Sequence, residues 1–270
     1  MSERDRYPVG VPCWVDTLQP DPDAAVGFYG ELFGWQFKGP GPMSGGEGGK
    51  FFVARVRDRD VAGVGSAPPG GPPRPAWTTY IRVESADVAA TRARELGGEV
   101  IAEPFDAAPA GRAAVLADPG GAVFGVWEAI EREGAQVINA PGAWSMRMLH
   151  TADPEEATPF YNGLFGWEAE GFGMGEDQIF LWRLPGYFGG EPEQPVPRDV
   201  VGVMAATADG VPAHWSVDFW VGDVDATAAK AGELGGEVVV APFDIPIGRQ
   251  AELADPRGAA FTVSRVGVGG

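Results

Sequence analysis

The chain has 270 residues, 44% of them apolar and nine of them Trp, enough for a sizeable core and against wholesale disorder. Its 38 acidic residues outnumber 20 basic ones, for a formal charge of −18, a field that repels phosphate and anionic headgroups, so neither nucleic acid nor a membrane is expected as a partner. Cys13 is the single cysteine, which excludes an intrachain disulfide and a Cys-based zinc site.

The charge is uneven: residues 1–132 hold 13 basic and 18 acidic side chains, residues 133–270 hold 7 and 20. The first dozen residues lack an apolar core and no apolar run approaches about 18 residues, so a soluble, cytoplasmic protein is expected.

Taken in chain order, a strand-like run at 11–18 ends at a Pro-Asp-Pro-Asp start signal. There Asp21 or Asp23 caps a helix that carries Ala24, Ala25, Phe28, Leu32 and Phe33 on one face and closes at Gly34. Strand-like runs follow at 51–56 and 61–65, then a Pro/Gly linker at 67–75. A new strand at 77–83 leads to a helix after Asp87 that ends at Leu96-Gly97-Gly98. Short strands at 99–101, 113–116 and 122–127 complete the half.

The second half repeats the first. Phe28-Tyr29-Gly30-Glu31-Leu32-Phe33-Gly34-Trp35 returns as Phe160-Tyr161-Asn162-Gly163-Leu164-Phe165-Gly166-Trp167, 132 residues on. Leu96-Gly97-Gly98-Glu99-Val100 returns at 234–238, and Ala117-Asp118-Pro119 at 254–256. The matching strands are expected at 145–150 and 216–221, the helices at about 154–165 and 224–234. The chain is a duplication. Its expected domains are 1–132 and 133–270, each an α+β domain of two β-α-β-β-β units, four units in all.

These units, with their helix-end, Leu-Gly-Gly and Ala-Asp-Pro motifs, resemble the vicinal oxygen chelate superfamily. It includes glyoxalase I, extradiol dioxygenases, fosfomycin-resistance enzymes and bleomycin-binding proteins, and the tandem arrangement is similar to actinobacterial glyoxalase-like proteins. The resemblance implies paired units whose curved sheets enclose a cup. It also implies a divalent metal held by His, Gln or Glu from three strands. Counting from the motifs, those positions are Trp14, Thr78 and Gly125 in the first half and Met146, Ser216 and Thr262 in the second. None suits a hard cation, so no metal and no other cofactor is expected.

If those positions face the cup, strand alternation brings in their neighbours. Trp14, Asp16, Leu18, Thr78, Tyr80, Arg82 and Trp127 line the first cup. Trp144, Met146, Met148, His150, Trp182, Ser216, Asp218 and Trp220 line the second. Trp and Met there suit a flat, apolar ligand, and equally they suit a cup closed into a core. Trp35, Trp167, Trp77 and Trp215 read as packing residues, Arg112 and Arg249 as duplicated fold residues, and Asp118 and Asp255 as turn residues. The glycine-rich stretch 45–49 reads as a lid over the first cup.

The leading functional expectation is a module that sequesters a small aromatic or apolar metabolite or natural product. The alternative is a metal-independent cyclase, isomerase or hydroxylase-like enzyme in which Asp16, Asp218 or His150 moves protons. A metal-dependent lyase or dioxygenase and a protein adaptor with filled cups are further alternatives. Two tandem domains can satisfy each other within one chain, so a monomer is the default, with a homodimer also open.

Overall fold

Each half pairs its two units edge to edge through their first strands. The computed structural model describes residues 2–43, 49–71, 74–173, 179–189, 197–207, 210–246 and 248–266. A short strand β1 (Ser2–Glu3) pairs with β10 (Val137–Ile138), so the N-terminal segment is tied to the stretch between the halves.

In the first half, β2 (Pro12–Gln19) and β6 (Trp77–Arg82) run antiparallel at the centre. Beyond β2 lie β5 (Arg59–Ser66), β4 (Lys50–Val56) and β3 (Gln36–Pro42). Beyond β6 lie β9 (Val123–Ala129), β8 (Gly111–Ala117) and β7 (Glu99–Ala107), completing an eight-stranded sheet. In the second half, β11 (Trp144–Thr151) and β15 (His214–Trp220) take the centre. They are flanked by β14 (Val200–Ala206), β13 (Ile179–Arg183) and β12 (Glu168–Phe172) on one side. On the other are β18 (Ala260–Val266), β17 (Gly248–Ala254) and β16 (Glu237–Ile245). The strand order is the same in both sheets, as the repeat requires.

The helices start and stop where their cap residues stand. Asp21 accepts the Ala24 N–H at 3.1 Å to open α1 (Pro22–Phe33), and Gly34 ends it with φ 70°. Asp153 and Gly166 do the same for α3 (Pro154–Phe165). In α2 (Ala86–Glu95) the cap is Ser85, and Asp223 caps α4 (Val224–Glu233). Asp87 lies instead in the first turn of α2, where it pairs with Arg112 at 2.8 Å. Arg249 and Asp225 repeat that pair at 2.6 Å. Each arginine also reaches the strand opposite it, Asp106 or Asp244, and so ties helix to hairpin.

The core lies between the two sheets and is largely aromatic. Helix α1 packs across the domain boundary: Phe33 meets Phe219 and Phe261 at centroid distances of 5.0 and 5.8 Å. Phe160, Tyr161 and Phe165 of α3 meet Phe124 in return. The polar tips of these rings form two matching latches. Trp77 donates to the Tyr29 hydroxyl at 3.1 Å, which donates to Asp255 at 2.9 Å; Trp215 donates to Tyr161 at 2.8 Å, which donates to Asp118 at 3.0 Å. Trp35 and Trp167 donate to the Gly142 and Gly10 carbonyls of the opposite half at 2.6 and 2.7 Å. Among the described residues no helix is long and apolar enough to cross a membrane.

Candidate functional site

The cup face of the first sheet holds a cavity of about 530 Å³. Of the residues placed there by strand alternation, Trp14, Asp16, Leu18, Tyr80 and Trp127 line it, whereas Thr78 and Arg82 do not. Thr78 is in register with Asp16, and Arg82 bonds the Val83 carbonyl. The expected lid at 45–49 lies, apart from Gly49, outside the described residues.

The walls are fixed by close packing. An added Cβ on Gly125 would lie 2.2 Å from the Tyr80 ring, and one on Gly111 would lie 2.6 Å from Trp127. Both rings therefore rest directly on backbone, and only glycine permits it. Trp127 donates to the Arg132 carbonyl at 2.8 Å, and the Arg132 guanidinium stands 5.2 Å above the Trp14 ring. Phe51, Val53 and Phe105 add to the apolar lining. Arg132 was not legible, because it reaches Trp14 from the stretch between the halves. Phe105 sits in β7, a nine-residue strand of which the sequence suggests only the first three residues.

Asp16 is the acid of this cup. It is 6% exposed, lies beside the backbone of Gly63, and its Oδ1 has no hydrogen-bond partner. Burial pushes its carboxyl up to about 7, against the opposing pull of the Tyr80 hydroxyl set against it. Burial also pushes the Tyr80 phenol well up, so it remains a hydrogen-bond donor. At one side the cavity shares Lys38 and Arg132 with a polar hollow of about 420 Å³.

Among the described residues the cavity of the second cup is smaller, about 230 Å³, and chemically different. Met146, Met148, His150, Ser216 and Asp218 line it together with Phe243, Gln250, Glu252 and Thr262. Asp218 is saturated: Ser145 and Ser264 donate to its Oδ2 at 2.8 and 2.5 Å, Thr262 to its Oδ1 at 2.9 Å. Burial raises its carboxyl despite these donors. The His150 ring stacks on His214 at 4.5 Å and sits 2.9 Å from the Ser216 hydroxyl; burial, then the neighbouring imidazole, pull it down to about 4.

Three tryptophans expected in this cup lie elsewhere. Trp182 turns to the helix side and packs on Tyr161 and Trp167, at 5.4 and 5.8 Å; its neighbours Leu181 and Ile179 take the cup side. Trp144 is fully buried, with the Arg147 guanidinium 5.0 Å from its ring. The pairing with β15 shifts register between Trp144 and Arg147, so the alternation that holds from Met146 onward does not reach back to Trp144. Trp220 closes the end of β15 through backbone bonds with Ala143 and Gly142 and is not part of the cavity wall.

The metal positions implied by the fold carry no carboxylate or imidazole, and the Tyr80 ring fills the space a longer side chain at position 125 would need. These residues do not fit a hard divalent cation. Among the described residues no three His, Cys, Asp or Glu side chains converge as ligands.

Comparisons with known proteins agree with this architecture. Residues 14–126 match the model of the Glyoxalase/Bleomycin resistance protein/Dioxygenase superfamily, and residues 146–264 match that of a glyoxalase-like domain. The chain is 38% identical to "Putative glyoxylase CFP32" of Mycobacterium tuberculosis, over 97% of each chain. It is 36% identical to "Anthracycline biosynthesis protein DnrV" of Streptomyces peucetius, over 96% of this chain and 94% of that protein. The Mn(II)-bound glyoxalase from Novosphingobium aromaticivorans shares the fold with a TM-score of 0.62 at 15% identity, covering 95% of this chain and 82% of that one. The dioxygenase LapB from Pseudomonas does so with a TM-score of 0.61 at 11% identity, covering 95% and 92%. With a matching domain in each half and full-length relatives, the chain belongs to the glyoxalase, bleomycin-resistance and dioxygenase superfamily.

Proposed function

We propose that the first cup binds, without a metal, a flat fused-ring aromatic molecule bearing hydroxyl or ketone oxygens, and that the protein acts on natural products of this class. The observation that carries the reading is a cavity of about 530 Å³ walled by Trp14, Tyr80, Trp127, Phe51 and Phe105, with one buried carboxyl whose Oδ1 has no partner. Aromatic walls favour a stacked ring system, and a carboxyl in the wall favours a ligand that hydrogen-bonds to it. Charged or polar substituents would extend toward Lys38 and Arg132 in the adjoining hollow. The relatives named for anthracycline biosynthesis support the class, since anthracyclines are fused-ring aromatics with phenolic and quinone oxygens.

The test is a titration with 1,8-dihydroxyanthraquinone followed by tryptophan emission, since Trp14 and Trp127 would lie against the bound ring. One equivalent binding at micromolar concentration, with the quenching reduced in Trp127→Phe, is expected. Absence of saturable quenching overturns the reading.

A further inference from the structure

Asp16 has a feature that binding alone does not require. A hydroxyl-bearing ligand could be held by any neutral acceptor, yet this cup buries an ionisable one and sets a phenol, Tyr80, against it. The other buried acid of comparable position, Asp218, has every oxygen engaged by Ser145, Thr262 and Ser264; Asp16 has an oxygen free. The rest of the wall carries no His, Glu or second Asp, and Cys13 is buried on β2 with its thiol directed to the Tyr80 carbonyl.

We propose that Asp16 and Tyr80 form a proton-transfer pair that interconverts keto and enol tautomers of a fused-ring aromatic ketone bound in the first cup. This rests on the binding reading above. In the step, the Asp16 carboxylate takes a proton from the carbon next to the ketone. The C–H electron pair becomes the C=C bond, and the carbonyl π pair moves onto oxygen. Tyr80 turns its hydroxyl from Asp16 to that oxygen and donates a hydrogen bond to the developing charge, remaining protonated itself. Asp16 then delivers the same proton to the oxygen, or to another carbon of the conjugated system, and returns to its starting state. Atoms and electrons balance without an oxidant or added co-reactant.

Two physical features favour this pair. Drawing the Tyr80 hydroxyl toward the ligand makes the carboxylate more basic at the moment it is needed, because that hydroxyl favours its ionised form. Burial also places Asp16 near 7, where both protonation states are populated at neutral pH.

The experiment uses 2-tetralone, a bicyclic aromatic ketone, in deuterated buffer at neutral pH, with exchange at the carbons beside the ketone followed by NMR and binding followed by tryptophan emission. The intact protein is expected to accelerate exchange at least about a hundredfold over buffer, the low end of general acid–base effects. The rate should rise with pH through the Asp16 range. Asp16→Asn, which matches the neutral acid in shape, should abolish the acceleration while tetralone binding changes by less than about threefold. Tyr80→Phe should lower it, and 1,8-dihydroxyanthraquinone should inhibit it. Tetralone binding without acceleration, or acceleration that survives in Asp16→Asn, overturns the proposal and leaves the binding reading intact. If the anthraquinone binds and tetralone does not, the proposal likewise fails alone. If neither binds, the binding reading fails, and this one with it.

Discussion

The two cups are built on one strand order and differ in what the central strands put into them. Asp16 of β2 faces Gly63 across the ladder, and Met148, its counterpart 132 residues on, faces Val203. A Cβ added at Gly63 would lie 2.4 Å from Phe51 and 2.9 Å from Asp16, so the glycine is what leaves the first cup room for an acid and a large ring. In the second cup Val203, Leu181, Met146 and Met148 pack against one another, and about 230 Å³ remains in place of about 530 Å³. Tyr80 over Gly125 has become Asp218 beside Thr262, and the floor is a closed hydrogen-bond network in place of an open acid. One cup holds the larger volume and a carboxyl with an unpartnered oxygen, and the other holds packing and satisfied polar groups.

What the halves share is the seam between them, and cutting it should have the largest effect. Asp255 accepts from the Tyr29 hydroxyl and from Gln19 Nε2 at 2.7 Å, as well as from the Ala259 N–H. Asp118 accepts from Tyr161 and the Ala122 N–H, without a counterpart of Gln19. Asp255→Ala strands two buried side-chain donors, so it should cost about 4 kcal/mol in chemical denaturation. Asp118→Ala strands one and should cost about 2 kcal/mol. Equal losses would show that the Gln19 bond contributes nothing.

The cups can also be exchanged. Gly63→Val should cost about 1–3 kcal/mol through overpacking against Phe51 and weaken anthraquinone binding more than about tenfold. The reverse change, Val203→Gly, should cost about 3 kcal/mol through the lost buried side chain and the added chain freedom. It should widen the second cup yet leave the stoichiometry at one ligand, because Met148 stands where an acid is needed. A second equivalent bound by Val203→Gly would show that volume alone decides binding.

Much of this was legible in the sequence, for identifiable reasons. The repeated helix-end motif fixed α1 and α3, since an Asp cap and a glycine in the left-handed region bound a helix locally. Period-two alternation brought Trp14, Asp16 and Tyr80 to one cup and Met146, Met148 and His150 to the other. It failed where the period breaks, at the register shift before Arg147 that removes Trp144, and where no parity could be counted, as for Trp182 in the middle of the sheet. The seam was hidden for another reason: Tyr29 and Asp255 lie 226 residues apart, and nothing local to either shows that a helix of one half packs on the sheet of the other.

The two cups should also give opposite pH dependences. Asp16 has a raised pKa in the folded state, so the fold favours its neutral form; that contribution is full below the ordinary carboxyl range and is lost as pH climbs through about 7. Between about pH 5 and about pH 8 the wild type should lose about 2 kcal/mol relative to Asp16→Asn, read from urea midpoints of both proteins at each pH. A parallel pair of curves would mean that Asp16 is ionised in the fold.

His150 acts in the other sense. Its folded pKa is lowered to about 4, so the fold favours the neutral ring, and the unfolded chain binds the extra proton between that value and the ordinary histidine range. Stability from this group therefore rises with pH across that window. His150→Gln cannot titrate and should lose the rise. The ring is partly open to solvent at the cup mouth, so screening limits the effect to about 1 kcal/mol. The slope should be unchanged in Asp16→Asn, because the two groups sit in different cups and share no partner. If removing Asp16 altered the His150 slope, the cups would be coupled through the aromatic seam. They would then titrate as one system instead of two sites that diverged separately.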